Sequence, residues 1–229
     1  YRSKFDVKVV GVTGSVGKTT TKDMIALVVA QKYKTLKTQG NHNNEIGMPQ
    51  TLFGLDSSYE AAVIEMGMSH QGEISRMSMS CQPDVAVITN IGISHIENLG
   101  TQENILKAKL EILDGAAYDA PLILCRDDKL LAGVQLHSDR KVYYYSVSKK
   151  DCDVYASGVK TVDNSITFTI NYAGGKIAAQ INCLGEHNVK NALAAFCVGL
   201  ALDIPPEDIV KGIAQFKPEG LRQNVTVID

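Results

Sequence analysis

Residues Gly14-Ser15-Val16-Gly17-Lys18-Thr19-Thr20 join two glycines to a lysine and a pair of hydroxyls, a combination suited to gripping phosphate. Glycines let main-chain N–H groups converge on an anion without interference from a Cβ, and a following helix N-terminus adds partial positive charge. Lys18 could reach the outer phosphates of a nucleoside triphosphate, and the Thr19 hydroxyl a magnesium ion. The usual phosphate-loop spacing wants its first glycine where Val12 stands, whereas Gly11 sits one place earlier, so the loop is a variant. The plain alternative is a glycine turn with an exposed lysine. The flanks argue against it: Val7 to Val12 is an apolar, β-branched run of strand type, and Met24, Ile25, Leu27, Val28 and Val29 give a following helix a broad apolar face.

Further candidates follow along the chain. Glu65 ends the apolar run Val63-Ile64-Glu65-Met66-Gly67. A carboxylate there is costly to desolvate unless it is paired or bound to metal. A magnesium ligand and a salt-bridged structural glutamate are therefore both open, and a phosphate loop on a neighbouring strand favours the ligand. His95 lies just past Thr89-Asn90-Ile91-Gly92-Ile93-Ser94. A lone histidine is ordinarily structural or solvated, and only its place beside the inferred nucleotide site makes it a candidate. Lys109 lies in a helical run where Lys107 and Glu111 share a face at i, i+4, and a solvated charged face is the default there. Lys109 points elsewhere and could turn inward, but residue type alone leaves it with the solvated set.

The segment Gly40-Asn41-His42-Asn43-Asn44-Glu45-Ile46-Gly47-Met48-Pro49 is dense in amides. Asn41, Asn43 and Asn44 could recognise sugar or peptide groups, or could serve left-handed turn conformations. Asn188 and Asn191 open a helix. Capping could account for Asn188 but not for Asn191.

The elements that must position these residues alternate strand and helix as far as Cys125: Ala61–Met66, a helix from Glu73 to Cys81, Val85–Thr89, a helix from Glu103 to Leu113, then Pro121–Cys125. Such alternation predicts an α/β fold with a mostly parallel sheet, helices on both faces and ligands at the carboxyl ends of the strands. From about 141 to 183 the pattern changes to short alternating strands, with a hairpin turn at Ala173-Gly174-Gly175. A small antiparallel β lobe packed beside the main sheet is expected. Helices from Asn188 to Leu202 and from Glu207 to Phe216 follow, the latter opened by Pro205-Pro206.

Bulk properties exclude several classes. A net charge of −2 gives no electrostatic footprint for nucleic acid, and no apolar run approaches a membrane span. Cys81, Cys125, Cys152, Cys183 and Cys197 are scattered without a C-x-x-C pair, as expected of reduced thiols in a cytoplasmic protein. The chain does not begin with Met, and its last residues, Val227-Ile228-Asp229, read as strand. A piece of a longer protein is expected.

Together, GVTGSVGKTTTK, QGNHNNEIGMP, VIEMGMSHQGEI, TNIGISHIENLGT, KAKLEIL and GEHNVKNALAA resemble the Mur ligases, ATP-dependent amide-bond formers of bacterial cell-wall synthesis. The resemblance implies a P-loop-type central ATP-binding domain over residues 1–229, with UDP-binding and C-terminal ligase domains outside it. It implies ATP and Mg2+ as cofactors, with UDP-muramoyl-peptide and D-alanyl-D-alanine as substrates of a monomeric enzyme that works through an acyl phosphate. By position, Gly14 to Thr20 hold the ATP phosphates, with Asn188, Asn191 and Arg222 as further nucleotide contacts. Thr19 and Glu65 bind one magnesium, and His95 binds a second together with Lys109, if that lysine is carbamylated. Asn41, Asn43 and Asn44 lie in the segment that meets the muramoyl peptide. The match at Arg222 is loose, because Pro218-Glu-Gly-Leu-Arg departs from the more common Pro-Gly-Arg. The rival readings are a sister ligase that adds glutamate to folate or another amino acid to the muramoyl chain, and a non-catalytic nucleotide-binding module. A small-molecule kinase is disfavoured, since neither a lid nor an acceptor base is recognisable.

Overall fold

The computed structural model describes residues 1–136 and 139–218. Along the chain run β1 (Lys8–Thr13), α1 (Lys18–Val29), β2 (Thr35–Lys37), α2 (Gly47–Phe53), β3 (Ala61–Glu65), α3 (Glu73–Cys81), β4 (Val85–Ile88), α4 (Ile96–Leu99), α5 (Gln102–Leu110), β5 (Leu122–Cys125), α6 (Lys129–Ala132) and β6 (Val142–Ser146). The strands β7 (Val154–Val162), β8 (Ser165–Tyr172) and β9 (Gly175–Ile181) come next, then α7 (Glu186–Ala201) and α8 (Pro206–Ala214). All strands join one nine-stranded sheet in the order β2-β3-β1-β4-β5-β6-β7-β8-β9.

The sequences KVVGVT, AAVIE, VAVI and LILC of β1, β3, β4 and β5 are almost wholly apolar, and every residue in them except Lys8 is buried. A parallel strand covered on both faces needs such a run. One set of helices, α1, α7 and α8, packs together over the sheet, while α3 packs on β1 and against α2 and α5. No helix among the described residues is long and apolar enough to cross a membrane.

The alternation from Lys141 to Tyr145 predicts an antiparallel strand, and here the structure differs. β6 pairs parallel to β5, with Ile123 opposite Tyr143, and β7 starts parallel to β6, with Tyr145 opposite Val154. Antiparallel pairing is confined to β7–β9, which extend the main sheet and are not a second sheet beside it. α7 covers this part of the sheet and buries Tyr145 and Ser146. Side-chain alternation records which faces are covered and says nothing about strand direction. The expected hairpin stands at Ala173-Gly174, between Tyr172 and Gly175. The amide-rich segment also ends in structure, since α2 begins at Gly47 and Pro49 sits in its first turn, where a missing N–H does no harm.

Candidate nucleotide and metal site

β3, β1 and β4 are neighbours, with Val12 opposite Glu65 and Thr13 opposite Ile88. The glycine loop, Glu65 and the Thr89-Asn90 segment therefore leave the sheet side by side at its carboxyl edge, where doubly wound folds bind ligands. Gly14 has φ 148°, and a Cβ there would lie 1.9 Å from Thr89 Oγ1, so only glycine lets the loop close on β4. Gly17 precedes α1 at φ 81°, and no side chain caps that helix. The first-turn N–H groups of α1, including those of Lys18, Thr19 and Thr20, are suited to an anion.

The loop is also clasped from the β4 side. Ser15 N donates to both Asn90 O (3.1 Å) and Asn90 Oδ1 (3.0 Å), and Val16 N donates to Asn90 Oδ1 (2.9 Å). Thr89 Oγ1 donates to Val16 O, and Gly92 N to Ser15 Oγ, both at 2.8 Å. Lys18 Nζ donates to Gly14 O (2.9 Å) and Ser15 O (3.3 Å). Burial lowers its pKa against the opposing pull of Glu65.

Glu65 is fully buried. Its Oε1 accepts from Thr19 Oγ1 (3.2 Å) and Asn43 Nδ2 (2.8 Å). Its Oε2 is buried without a hydrogen bond, and Lys22 Nζ stands 4.0 Å away, too far to supply one. An orphaned carboxylate oxygen beside a threonine hydroxyl is a hard-oxygen donor set, and it fits magnesium. Among the described residues no three His, Cys, Asp or Glu side chains group to hold a metal, so such an ion would draw its remaining ligands from phosphate oxygens and water.

A cleft of 240 Å³ adjoins this point, its lining including Lys18, Asn43, Asn44, Glu73, His95 and Lys109. Lys109 is only 2% exposed, which overturns its default placement on a solvated face. Burial, reinforced by the Lys18 charge, lowers its pKa to about 7. Its i+2 neighbour Glu111 accepts from Gly72 N and Ser75 N, holding α5 against the start of α3. His95 precedes α4 in the left-handed region, at φ 65°.

The structure gives other expected residues local work as well. Asn44 Oδ1 accepts from Ile46 N and Gly47 N as a turn residue, and Asn41 is exposed outside the cleft lining. Asn191 lies beneath the loop, where its Oδ1 accepts from Thr21 Oγ1 (3.0 Å) and its Nδ2 donates to Asn188 Oδ1 (3.2 Å). Arg222 lies outside the described residues. Sequence reasoning placed the Thr89-Asn90 segment at a strand end without giving Asn90 a role, and missed Lys22 and Thr38. The last receives Lys22 Nζ on its carbonyl and Glu65 N on its hydroxyl. Position at a strand end was the only available signal for Asn90, and the TTTK continuation of the loop the only one for Lys22.

Residues 12–199 match the Mur ligase middle domain. The chain is 42% identical over its full length to a UDP-N-acetylmuramoyl-tripeptide--D-alanyl-D-alanine ligase of Bacillus subtilis, of which it covers 49%. It is 33% identical to the Escherichia coli protein of that name, covering 52% of it. Among solved structures, MurF from Acinetobacter baumannii superposes with a TM-score of 0.91 at 35% identity, over 97% of this chain and 49% of that one. MurF from Thermotoga maritima in complex with ADP gives 0.85 at 28% identity, over 94% and 50%. The chain thus spans about half the length of these relatives. With the phosphate loop, the glutamate at the neighbouring strand end and the family match all on the same residues, the chain belongs to the Mur ligase family and carries its middle domain.

Proposed function

We propose that this chain is the nucleotide-binding middle domain of an ATP-dependent acid–amino-acid ligase of peptidoglycan precursor synthesis. The whole protein would join D-alanyl-D-alanine to UDP-N-acetylmuramoyl-tripeptide. Surfaces that bring the UDP-sugar and the amine would lie outside residues 1–229, in a monomeric cytoplasmic enzyme. The observation that carries this reading is the meeting of Lys18, Asn43, His95 and the buried Lys109 in one cleft, beside a glutamate with an unshared oxygen. The names of the relatives supply the acceptor.

In the reaction, a terminal carboxylate oxygen of the tripeptide attacks the γ-phosphorus and ADP leaves. The amine nitrogen of D-alanyl-D-alanine then attacks the acyl carbon, and phosphate leaves with the C–O bond electrons. Little of this needs a nucleophilic side chain; positioning and neutralisation of phosphate charge suffice. Lys18 and the N–H groups at the start of α1 hold the phosphates, and Asn188, Asn191 and Arg222 are assigned to the rest of the nucleotide. Thr19 and Glu65 would hold a magnesium ion, whose bound charge offsets that of the phosphates. Asn43 keeps Glu65 turned toward Thr19, and Asn41, Asn43 and Asn44 lie in the segment assigned to the peptide substrate. Lys109, neutral above about pH 7, can add carbon dioxide at Nζ with release of a proton. The resulting carbamate, with His95, would hold a second ion.

The test is phosphate release by the whole protein with ATP, UDP-N-acetylmuramoyl-tripeptide and a panel of amines. Release dependent on D-alanyl-D-alanine is expected. Release with glutamate and a folate acceptor would assign the chain to the sister ligase. Nucleotide binding without turnover on any acceptor would leave a binding module.

A further inference from the structure

Lys22 lies one helical turn beyond Lys18 on α1 and is only 2% exposed, a rare place for a lysine. Its Nζ donates to Thr38 O at 2.8 Å, stands 3.2 Å from Asp23 Oδ1 and 4.0 Å from Glu65 Oε2. Asp23 has a second and closer cation in Lys37, at 2.8 Å. Glu65 has only Lys22 within ion-pair distance among the described residues. Thr38 fixes both members of this pair, since its carbonyl receives the ammonium and its hydroxyl receives Glu65 N at 3.0 Å.

The ammonium is therefore pinned on the side of the one carboxylate oxygen that lacks a hydrogen bond. A divalent cation on that oxygen would face a fixed positive charge a few ångströms off, in a setting with little water to screen it. Glu65 and Lys22 together contribute no net charge, so the negative charge that retains the cation must come from the ligand's phosphates.

We propose that Lys22 is a positioning residue that makes divalent-cation binding at Thr19 and Glu65 conditional on a polyphosphate. It holds Glu65 oriented while cancelling its charge, so the metal is retained with the nucleotide and not before it. The proposal rests on the reading of Glu65 as a metal ligand. It adds that Lys22 lowers the metal affinity of the bare site, leaving the phosphates to supply the difference.

The experiment titrates Mn2+ against the full chain by electron paramagnetic resonance, with and without ADP, in wild type, Lys22→Met, Lys22→Gln and Glu65→Gln. Removing one nearby unit charge should tighten nucleotide-free Mn2+ binding about tenfold in both Lys22 variants. With ADP present Mn2+ should also bind more tightly, since the fixed charge opposes the metal in both states. Glu65→Gln should weaken Mn2+ with and without ADP. Lys22→Gln keeps a donor for the Thr38 carbonyl, so it decides the matter if Lys22→Met does not fold. Unchanged or weaker nucleotide-free Mn2+ binding in the Lys22 variants, with Glu65→Gln weakened, would make Lys22 a structural lysine and overturn the proposal. Wild-type binding in Glu65→Gln would instead remove the metal reading itself, and the proposal with it.

Discussion

Asn90 Oδ1 accepts hydrogen bonds from the main-chain N–H groups of both Ser15 and Val16, at 3.0 and 2.9 Å. One side chain at the end of β4 thus fixes the shape of the glycine loop that follows β1. It also takes up two N–H groups that would otherwise be candidates for phosphate. Their part of the loop is held for geometry, and the start of α1 is left to meet the anion.

Two substitutions at Asn90 separate loop shape from loop charge. Asn90→Ala removes the acceptor and should cost on the order of 1 kcal/mol of stability, since water can reach the exposed loop tip. Nucleotide affinity should fall with it. Asn90→Asp keeps the acceptor and strengthens both hydrogen bonds, so thermal stability should hold, yet a carboxylate there repels phosphate. Nucleotide titration should find Asn90→Asp weaker than Asn90→Ala despite the better fold. The reverse order would mean that Asn90 itself touches the ligand as a donor.

Lys18→Ala should nearly abolish nucleotide binding while leaving the melting temperature close to that of wild type. The side chain makes only two hydrogen bonds, both to carbonyls of its own loop. Charge-assisted hydrogen bonds to phosphate are worth about 1.5–3 kcal/mol each, so a loss of roughly tenfold to a hundredfold or more is expected. Calorimetric titration with a parallel melt reads both quantities. Full affinity in a folded variant would remove the phosphate assignment.

Asn191 has a load in the fold that a residue serving only as a nucleotide contact would lack. It bridges Thr21 on α1 to Asn188 on α7 in a buried setting. Asn191→Ala should therefore lose about 1–3 kcal/mol of stability without any nucleotide present, because it leaves the buried Thr21 hydroxyl without its acceptor. Thr21→Val should lose part of the same energy and be less than additive with it in a double-mutant cycle. Denaturant unfolding of the four proteins checks this. Independent, additive losses would break the claimed link.

The parts of the site that were legible in sequence are those where residue type and place on a strand conflict. Glu65 stood out because a carboxylate ends an apolar run, and Gly14 and Gly17 because they flank hydroxyls before a helix. The fold was legible as far as β5 for a similar reason, since fully buried parallel strands write continuous apolar runs. Direction was not legible at β6, where Val142-Tyr-Tyr-Tyr145 is the same β-favouring run whichever way the partner strand runs. The role of Asn90 was hidden because its partners are main-chain N–H groups of the glycine loop, and no side-chain pattern marks them. Lys109 was hidden because helical spacing tells which residues share a face and not which face the rest of the chain covers.

Burial of Lys109 predicts a pH-dependent instability of definite sign. Its pKa falls from 10.5 when unfolded to about 7 in the folded chain. Between those values the unfolded state binds the proton and the folded state does not, so stability rises with pH across that window. Below about pH 7 both states are protonated and the full penalty of a buried ammonium, on the order of a few kcal/mol, is present. Lys109→Met should thus be more stable than wild type at pH 6, with an advantage that shrinks steadily toward pH 10. Urea unfolding of both proteins at four pH values measures it. A constant difference would mean that Lys109 keeps an ordinary pKa.

The same lysine gives the sharpest test of the ligase reading. If carbon dioxide adds at Nζ, the side chain changes from a cation to an anion and can hold metal with His95. In the whole protein, Lys109→Ala should then lose most ligase activity. Short carboxylic acids such as acetate or formate should restore part of it by entering the vacated anionic position. Lys109→Arg should stay inactive despite its positive charge, because a guanidinium cannot become a carbamate. A lysine that only packed would behave differently: alanine would act through stability alone, and no added acid would change turnover. Labelled bicarbonate provides a readout apart from activity. A carbamate carbon signal should appear in the wild-type protein as pH rises through about 7, and be missing in both variants. An active Lys109→Ala protein, or inactive variants that no acid rescues together with no carbamate signal in wild type, would leave Lys109 as a buried structural amine and take the second metal ligand out of the mechanism.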